Sequence, residues 1–538
     1  MKNKIAEDFL ERAISELKNK NFKTKDPLII STTQISISKD EISQLFSIAK
    51  EQFVAPLSKD PFCLKRADKV LIERNLRVLR DESTYFIFNA LKRLENSSDG
   101  GILAFISNNG FIDNATARAF RFWLMQNLDE IYIINLHGNT RKREYDAQGG
   151  VDENPFSLMN GVSVNIFVKK SGKKDLENLA DVYYCDILGA RDFKLKFLQN
   201  ASLKNENFSK IKPEKPYFFF DKSSWQNSKY CEFYGIADIF DIHGSGVQSG
   251  NDALLVAMDK ATLKEKIIKH YGSFNPKRVQ KIMYKPYDMR YIYYDGKVAR
   301  ARTTLMRHLL GHKNLALHVS RQAKLSGEWS FCFVSEILSQ RCLLGGGNTG
   351  AGIIWPLYVY DENNQASSNI RAFFLEILSK ICGRKISPKE AFCYIYALLN
   401  HASYRKKYDN ELKLDFARIP LPKNAKNFDE FNQLGAKLIN TQLLKGLKAV
   451  NFEYKREKND EISANPLYAR GGIFINSSLF YPCKAEVWEW CIGGGSVLMR
   501  YLKVRKGLIL DKKYFGLLVS LASKSLELTK RISSLDFV

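Results

Sequence analysis

The chain has 538 residues, enough for about two to four domains of ~150 residues each. Its hydrophobic content of 45% excludes a largely disordered chain, and no uncharged apolar run reaches the roughly 18 residues that a membrane-spanning helix needs. The formal net charge of +24 at pH 7 is unusual for a neutral metabolic enzyme and indicates a polyanionic partner, of which nucleic acid is the usual one. A charge that reflects only solubility or a basic proteome is the alternative.

The first 60 residues are predicted to be helical. Ser38 and Glu41 form a capping-box pattern, and apolar residues follow at helical spacing as far as Phe53. A further helix is predicted from Glu82 to Leu94. We therefore expect residues 1–60 to form a helical N-terminal segment.

Residues 61–170 are predicted to form part of an open α/β sheet. Short apolar runs of the kind that is buried on both faces occur at 102–106, 131–136 and 162–168. A helical pattern lies between the first two runs, and a long polar excursion at 137–160 separates the last two. This order is typical of the end of an open α/β sheet.

The remaining two segments have different patterns. Residues 171–365 alternate short aromatic and β-branched runs, such as 291–294, with turns, which predicts a β-rich region. Helical patterns return in residues 366–538, over 370–382 and 388–400. The predicted fold class is therefore a partial α/β sheet followed by a mixed α+β region.

The densest basic stretch of the chain runs from Tyr271 to Lys324. It holds twelve Lys or Arg residues against two acidic ones, Asp288 and Asp295, with seven aromatic residues among them. Lys and Arg neutralise phosphates, Arg can reach a guanine edge, and Tyr can stack on bases. A solvated basic face above core tyrosines is the alternative. The candidate DNA-binding residues are Lys285, Arg290, Arg300, Arg302, Arg307, Arg321, Tyr287 and Tyr291.

Other patterns lack the context that their chemistry needs. Gly345–Gly350 satisfies GxGxxG but precedes a strand-like run, so no helix N-terminus is available to hold a phosphate. Gly493–Gly495 precedes a helix-like stretch, where tight packing or a turn is favoured over a phosphate site. His308 and His312 have the spacing of a zinc helix without its glutamate. We predict no catalytic residue and no metal site.

The cysteines give no sign of a structural framework. All nine are scattered, and none forms a CxxC pair, so neither a zinc knuckle nor a disulfide scaffold is indicated. The N-terminal sequence MKNKIAEDFLERA lacks the continuous apolar core of a signal peptide. Reduced thiols in a cytoplasmic protein are the simplest account.

Several motifs of the predicted sheet are similar to those of a known domain. Gly100–Asn108 with Gly110–Asp113, Ile131–Thr140, Asp152–Phe156 and Gly161–Val164 look like the later strands of an adenine-N6 DNA methyltransferase domain. The order of the motifs also agrees. The sheet is therefore expected to be the last part of a methyltransferase sheet.

Motifs after the sheet extend this resemblance. Gly246–Asp252 is similar to a GxxTGxD element, with Ser249 in place of the threonine, and Tyr284–Tyr294 resembles a YRPFDxRxxYY element. The C-terminal matches are Phe392–Ala397, Tyr404–Tyr408, Phe416–Pro422 and Val487–Gly494. Together these motifs resemble the large single-chain restriction–modification enzymes of type IIG and type ISP, which join nuclease, methyltransferase and target-recognition parts.

Two motifs of such enzymes are missing. The family binds S-adenosylmethionine through an FxGxG-type motif and holds the flipped adenine with NPPY or NPPF. The nearest string here, Lys59–Phe62, has one proline and no amide. The resemblance therefore implies the C-terminal half of such an enzyme, with the last three or so of seven sheet strands and the whole target-recognition region.

Two functions remain open. The chain is either the DNA-recognition half of an enzyme that methylates adenine N6 and needs a separate N-terminal half for catalysis, or a non-catalytic DNA-binding remnant of a disrupted gene. S-adenosylmethionine would serve the intact enzyme, and no cofactor is expected on this chain alone. The expected partners are double-stranded DNA and the nuclease and methyltransferase half, with no membrane. RNA is the weaker alternative, since RNP-like and KH-like motifs are absent from the sequence.

Overall fold

The computed structural model divides into two compact units, unit 1 over Met1–Asn227 and unit 2 over Ser228–Val538. The residues that the structure describes are 2–21, 28–32, 81–95, 97, 99–140, 144–146, 148–171, 178–203, 208–214, 217–222, 228–323, 327–345, 352–451, 460–463, 465–476 and 480–537.

Unit 1 is an α/β unit. Its described helices are α1 Lys2–Asn21, α2 Glu82–Glu95, α3 Gly110–Asp113, α4 Arg118–Asn127 and α5 Arg191–Asn200. Its strands are β1 Leu28–Thr32, β2 Gly101–Asn108, β3 Glu130–Asn135, β4 Val162–Lys169, β5 Asp181–Asp186 and β6 Ser209–Ile211.

These six strands form one sheet in the order β1-β2-β4-β3-β5-β6. Strand β4 is antiparallel to both β2 and β3, whereas β1 is parallel to β2 and β5 is parallel to β3. Consecutive strands β2 and β3 are therefore not neighbours, because β4 inserts between them. This confirms the predicted α/β class and the three predicted strands.

The sheet is larger than the sequence indicates. Strands β5 and β6 follow residue 170, where the sequence predicts a domain boundary, so the sheet extends across that position. Strand β1 adds a further strand within the segment that is predicted to be helical. Its sequence, Leu28–Thr32, is rich in β-branched residues, which favour strands over helices. The predicted capping box at Ser38 and the string at Lys59 lie outside the described residues.

Each face of the sheet has its own core. Helix α1 places Phe9, Ala13 and Leu17 at helical spacing, and these side chains pack on one face with Ile102 and Tyr132. Helices α2 and α4 cover the other face. The residues of that second core include Phe88, Leu91, Leu124, Phe105, Ile133 and Phe167. Helix α1 thus covers apolar surface that the sheet would otherwise expose.

Unit 2 is a mixed α+β unit. Its described helices are α6 Ser228–Cys231, α7 Ile236–Ile239, α8 Asp252–Leu255, α9 Lys260–Tyr271, α10 Thr303–Met306, α11 Ala372–Cys382, α12 Pro388–Leu399, α13 Ala402–Lys407, α14 Asp409–Leu414, α15 Ala425–Gln442, α16 Ala485–Glu489, α17 Val497–Lys503 and α18 Lys512–Ser533.

The strands of unit 2 form several small sheets. They are β7 Tyr234–Gly235, β8 Gly244–Ser245, β9 Val256–Ala257, β10 Val279–Lys285, β11 Asp288–Tyr293, β12 Ala316–Ser320, β13 Cys332–Ser335, β14 Leu338–Ser339, β15 Gly352–Pro356, β16 Tyr358–Tyr360, β17 Ala366–Ser368, β18 Arg418–Ile419, β19 Leu467–Ala469, β20 Gly472–Phe474 and β21 Phe480–Pro482. Two sheets have four strands, in the orders β14-β10-β11-β9 and β13-β12-β15-β8. This confirms the predicted β-rich part of the chain.

Helix α12 lies at the centre of the largest core of unit 2. It begins at a capping box, in which the Ser387 side chain accepts from the backbone N–H of Glu390 and the Glu390 side chain accepts from the Ser387 backbone N–H. All its residues from Ala391 to Leu399 are buried. At its contact with α15, a Cβ on Gly435 would lie 2.0 Å from the carbonyl oxygen of Cys393, so only glycine permits this approach. The predicted return of helices after residue 366 is confirmed.

Candidate nucleic-acid interface

The predicted basic stretch is built around the hairpin of β10 and β11. The two strands pair antiparallel, and Lys281 lies directly opposite Tyr291. The turn places Tyr287 at a φ of 63°, a left-handed conformation that is rare for a bulky residue. Its side chain is nevertheless 2% exposed, and its hydroxyl donates to the carbonyl oxygen of Gln442 at 3.1 Å. Tyr287 therefore holds the hairpin on the core.

Asp288 joins the hairpin to the C-terminal part of unit 2. It is 3% exposed and accepts hydrogen bonds from Arg290, at 3.0 Å and 2.7 Å, and from Arg505 at 3.0 Å. The Arg290 guanidinium also lies 3.9 Å from the ring centre of Tyr284. A buried carboxylate between two guanidinium groups satisfies all three charges within the protein.

Two predicted motifs meet through Asp252. The Tyr284 hydroxyl donates to the Asp252 carboxylate at 2.6 Å, and the hydroxyl of Ser249 donates to the other oxygen of the same carboxylate. Burial and the neighbouring carboxylate raise the pKa of Tyr284 to about 12. Because Ser249 supplies the same hydroxyl donor, its replacement of threonine in the GxxTGxD-like element leaves this contact in place.

Two further candidate DNA-binding residues are engaged inside the unit. Lys285 donates to the carbonyl oxygens of Cys342 and Gly345, the latter at 2.7 Å, and burial lowers its pKa. Arg321 donates to Asp415 at 2.8 Å. With Arg290 and Tyr287, these side chains stabilise the fold around the hairpin.

The other four candidates lie toward solvent. Arg300, Arg302 and Arg307 are exposed, and Tyr291 is half-buried. The backbone of Arg300 pairs with that of Gln248, and Arg302 has a φ of 57° at the start of α10.

Arg307 is exposed but still forms a hydrogen bond within the unit, since its side chain donates to the carbonyl oxygen of Tyr360 at 3.0 Å. The basic stretch thus has an internal half, which includes Lys285 and Arg290, and an outward half, which includes Arg300 and Arg302.

A groove of about 430 Å³ lies beside the outward half. The hairpin contributes Val279, Lys281 and Tyr291 to it, and the start of α9 contributes Lys260. Two turns complete the groove, Leu309–Lys313 and Glu336–Leu338.

Sequence reasoning does not select Lys260, Lys281 or Lys313. The one signal is positional and concerns Lys281 alone, since a lysine opposite a tyrosine in a predicted hairpin lies on the same face of the sheet as that tyrosine.

Gly493 and the histidine pair have structural roles, whereas residues 346–350 of the GxGxxG pattern lie outside the described residues. A Cβ on Gly493 would lie 2.0 Å from the Leu344 carbonyl oxygen, so glycine at this position is required for tight packing. His308 accepts from the backbone N–H of Tyr360 at 3.0 Å, and the His312 ring stacks on the Tyr360 ring at 3.7 Å. Among the described residues, no group of three or more His, Cys, Asp and Glu could hold a metal ion.

Unit 1 carries a separate polar cluster where the parallel strands β2, β3 and β5 end. Asn109 donates to Asn135 at 2.9 Å, Asn135 donates to the Tyr184 hydroxyl at 3.0 Å, and that hydroxyl donates to Asp186 at 2.7 Å. The carboxyl ends of parallel strands are where open α/β sheets bind ligands.

His137 closes this cluster. Its Nε2 lies 2.5 Å from an Asp186 oxygen and its Nδ1 lies 3.2 Å from Glu144. Burial alone lowers the pKa of His137, but the hydrogen bonds and charges of the two carboxylates outweigh it and raise the pKa to about 9. The imidazole is therefore positively charged at neutral pH.

Comparison with known proteins identifies the class of this fold. Residues 260–515 match the model of the Type ISP C-terminal specificity domain. This part of the chain is therefore similar to the specificity region of Type ISP restriction–modification enzymes. No curated protein sequence matches the chain.

Three solved structures have the same fold. The ATP-dependent Type ISP restriction–modification enzyme LlaBIII bound to DNA matches with a TM-score of 0.67 and 19% identity, over 96% of this chain and 38% of that one. A nuclease-deletion mutant of the Type ISP enzyme LlaGI with a DNA substrate mimic matches with a TM-score of 0.63 and 20% identity, over 94% of this chain and 52% of that one.

The third structure is DrdV in complex with DNA, with a TM-score of 0.63 and 18% identity, over 94% of this chain and 57% of that one. The chain thus spans between 38% and 57% of the length of these relatives. Among the described residues, no helix is both long and apolar enough to cross a membrane.

Proposed function

We propose that the chain recognises a target site in double-stranded DNA as the specificity part of a restriction–modification enzyme. The observation that carries this proposal is the match of residues 260–515 to a specificity-domain model. The net charge of +24 and the exposed Arg300 and Arg302 support it, because both favour a polyanionic partner. The three DNA-bound structures of the same fold also support it.

The first experiment measures DNA binding by the full chain. Anisotropy of a labelled duplex over a salt series should give tight binding at low salt, with a log–log slope of roughly −0.9 for each phosphate contact. Selection from a pool of random duplexes should enrich one sequence pattern, because base contacts in the grooves specify sequence. A response that is flat in salt, or a pool without enrichment, contradicts target recognition.

A double variant tests the outward arginines. Arg300→Gln with Arg302→Gln should weaken duplex binding, whereas Lys385→Gln with Lys389→Gln removes the same charge from exposed positions near the start of α12. The control pair should bind the duplex with an affinity within about twofold of the wild-type value, since its lysines lie outside the basic stretch. Equal losses of affinity from both pairs would show that only net charge matters, and not this surface.

We further propose that this specificity part serves an enzyme that transfers a methyl group from S-adenosylmethionine to adenine N6, with the cofactor held by a separate N-terminal half. The resemblance of unit 1 to the end of a methyltransferase sheet and the missing FxGxG and NPPY motifs support this. Strand β1 also fits, because within the described residues it pairs only with β2, and Leu28 and Ile29 remain 37% and 40% exposed. A sheet edge of this kind can accept another strand.

Co-expression separates the two remaining functions. If the chain is a split-enzyme subunit, the upstream half should raise its soluble yield, form a complex in gel filtration and confer methylation of adenine in a tritiated-methyl assay. The chain alone should neither bind S-adenosylmethionine in calorimetry nor methylate DNA. If the upstream half changes neither the soluble yield nor the gel-filtration mass and no methylation appears, the chain is the non-catalytic DNA-binding remnant of a disrupted gene.

A further inference from the structure

The groove beside the hairpin brings together cations from three separate segments. Lys260 begins helix α9, Lys281 lies on β10, and Lys313 belongs to the turn before β12. All three are exposed. Within the part of the chain that the structure describes, none of the three ammonium groups forms a salt bridge.

One carboxylate lines the groove, and it is already neutralised. Glu336 forms a salt bridge of 2.5 Å with Lys445. The groove therefore presents three unpaired positive charges without a free negative one. Three exposed cations around one groove raise the positive potential there and favour an anionic ligand.

The rest of the lining is partly apolar, with Gln280 and His312 as its other polar side chains. Leu309, Leu310 and Ile337 form the walls, and the ring of Tyr291 lies under the Lys260 ammonium group at 5.5 Å from its centre. A ligand that fits must combine anionic oxygens with an apolar body. At about 430 Å³ the groove is within the range of small-molecule sites, roughly 300–1,000 Å³, and is large enough for a nucleotide unit.

The groove borders one of the outward arginines, Arg307. The His312 ring stacks on Tyr360 at 3.7 Å, and Arg307 donates to the carbonyl oxygen of the same residue at 3.0 Å. Arg307 therefore lies at the border of the groove.

We propose that this groove holds the phosphodiester backbone of double-stranded DNA, with phosphates on Lys260, Lys281 and Lys313 and a deoxyribose against Tyr291. The proposal rests on the proposed function and makes it more specific, since it assigns these lysines to positioning and not to base reading. A lysine ammonium group binds a phosphate as a point charge, and a contact of this kind carries no sequence information. Occupation by an acidic peptide is the competing outcome.

The test compares two triple variants of the full chain. K260Q/K281Q/K313Q removes the three lysine charges that line the groove, whereas K264Q/K269Q/K385Q removes three exposed lysines that do not line it. In a salt series, the groove variant should reduce the log–log slope by roughly 0.9 for each phosphate that it no longer neutralises. It should weaken binding to selected and to random duplexes by the same factor, and the control variant should change neither.

Chemical acetylation supplies an independent readout on the wild-type chain. DNA should protect Lys260, Lys281 and Lys313 from acetylation, as measured by mass spectrometry, and should leave Lys264 and Lys269 reactive. Protection of the three lysines by a polyglutamate peptide but not by duplex DNA would replace the proposal with an acidic-peptide site. Circular dichroism establishes that both triple variants fold.

The outcomes separate this inference from the proposed function. If the wild type binds DNA but the two triple variants have equal slopes, the groove assignment is wrong and target recognition stands. If the groove variant loses affinity for the selected duplex only, the lysines read bases and the positioning role is wrong. If the wild type does not bind DNA, both proposals fail.

Discussion

Tyr284 and Asp252 are 32 positions apart in sequence, and a hydrogen bond of 2.6 Å joins the hydroxyl of one to the carboxylate of the other. Each residue belongs to a motif that the sequence singles out for its resemblance to restriction–modification enzymes. Their contact shows that the two motifs form one structural unit. One of the outward arginines is attached to this unit, because the backbone of Arg300 pairs with that of Gln248.

Removing the Tyr284 hydroxyl should destabilise unit 2 without removing a DNA contact. Tyr284→Phe deletes a hydrogen bond to a charged acceptor, for which we expect a loss of about 1–2 kcal/mol in the free energy of unfolding. Denaturant titration measures it. Tyr271→Phe is the matched control, because its hydroxyl has no hydrogen bond within the described residues. Equal stability of the two variants would contradict this account of the motif.

Asp288 should be more sensitive still. Asp288→Asn removes the negative charge between Arg290 and Arg505 while keeping the shape of the side chain, and we expect a loss of about 2–4 kcal/mol because a buried partner charge is left uncompensated. Asp295→Asn is a suitable comparison, because its partner Arg278 is 50% exposed and can be hydrated instead. In thermal unfolding, the Tm of Asp288→Asn should therefore be well below that of Asp295→Asn.

Lys285 should behave as a structural residue although it lies in the basic stretch. Lys285→Met removes two hydrogen bonds to the carbonyl oxygens of Cys342 and Gly345, so we expect a loss of about 1–3 kcal/mol in stability. The salt slope of DNA binding by the folded variant should remain that of the wild type. A slope that falls by roughly 0.9 would instead place Lys285 on a phosphate.

The stability of unit 1 should fall at alkaline pH because of His137. Its pKa in the folded state, about 9, lies above the value of about 6.5 expected in the unfolded chain. The interaction with Asp186 and Glu144 therefore contributes fully below about pH 6.5, and its contribution disappears as the pH rises through 9. The decrease in stability should occur in this window and not on acidification from neutral pH to 6.5.

Variants isolate this contribution. The difference in unfolding free energy between wild type and His137→Gln should be large near pH 6 and small near about pH 9.5, as follows from proton linkage. His312→Gln is the control, since His312 stacks on a tyrosine and has no carboxylate partner among the described residues. If the difference in unfolding free energy between the wild type and His137→Gln does not change with pH, His137 is not charged as described.

Sequence patterns predict the local elements of the fold better than its extent. The strands at 102–106, 131–136 and 162–168 are found because runs buried on both faces leave an unambiguous apolar signature. Strand β1 escapes prediction because five residues of β-branched character carry little weight beside a helical neighbourhood. Strand β6 escapes it for a similar reason, since Ser209–Ile211 has three residues and one apolar side chain.

The candidate site shows a different limit. Composition marks the basic stretch as a whole, yet it cannot separate Lys285, which bonds two carbonyl oxygens, from Arg300, which is exposed. That distinction depends on which face of a strand or turn meets the core, and on partners such as Asp415 that are distant in sequence. The lysine groove is invisible in the sequence because its three cations come from different segments, and only tertiary structure places them together.

The insertion of β4 between β2 and β3 also has a consequence for synthesis on the ribosome. Residues 101–135 emerge first. The edges of β2 and β3 that pair with β4 have no hydrogen-bonding partner until Val162–Lys169 has been synthesised. Until then two strongly apolar strands have open edges, and contacts between distant segments form slowly. A nascent chain that stalls before residue 162 should therefore be bound by chaperones or aggregate, whereas one that stalls well after residue 169 can complete the central sheet.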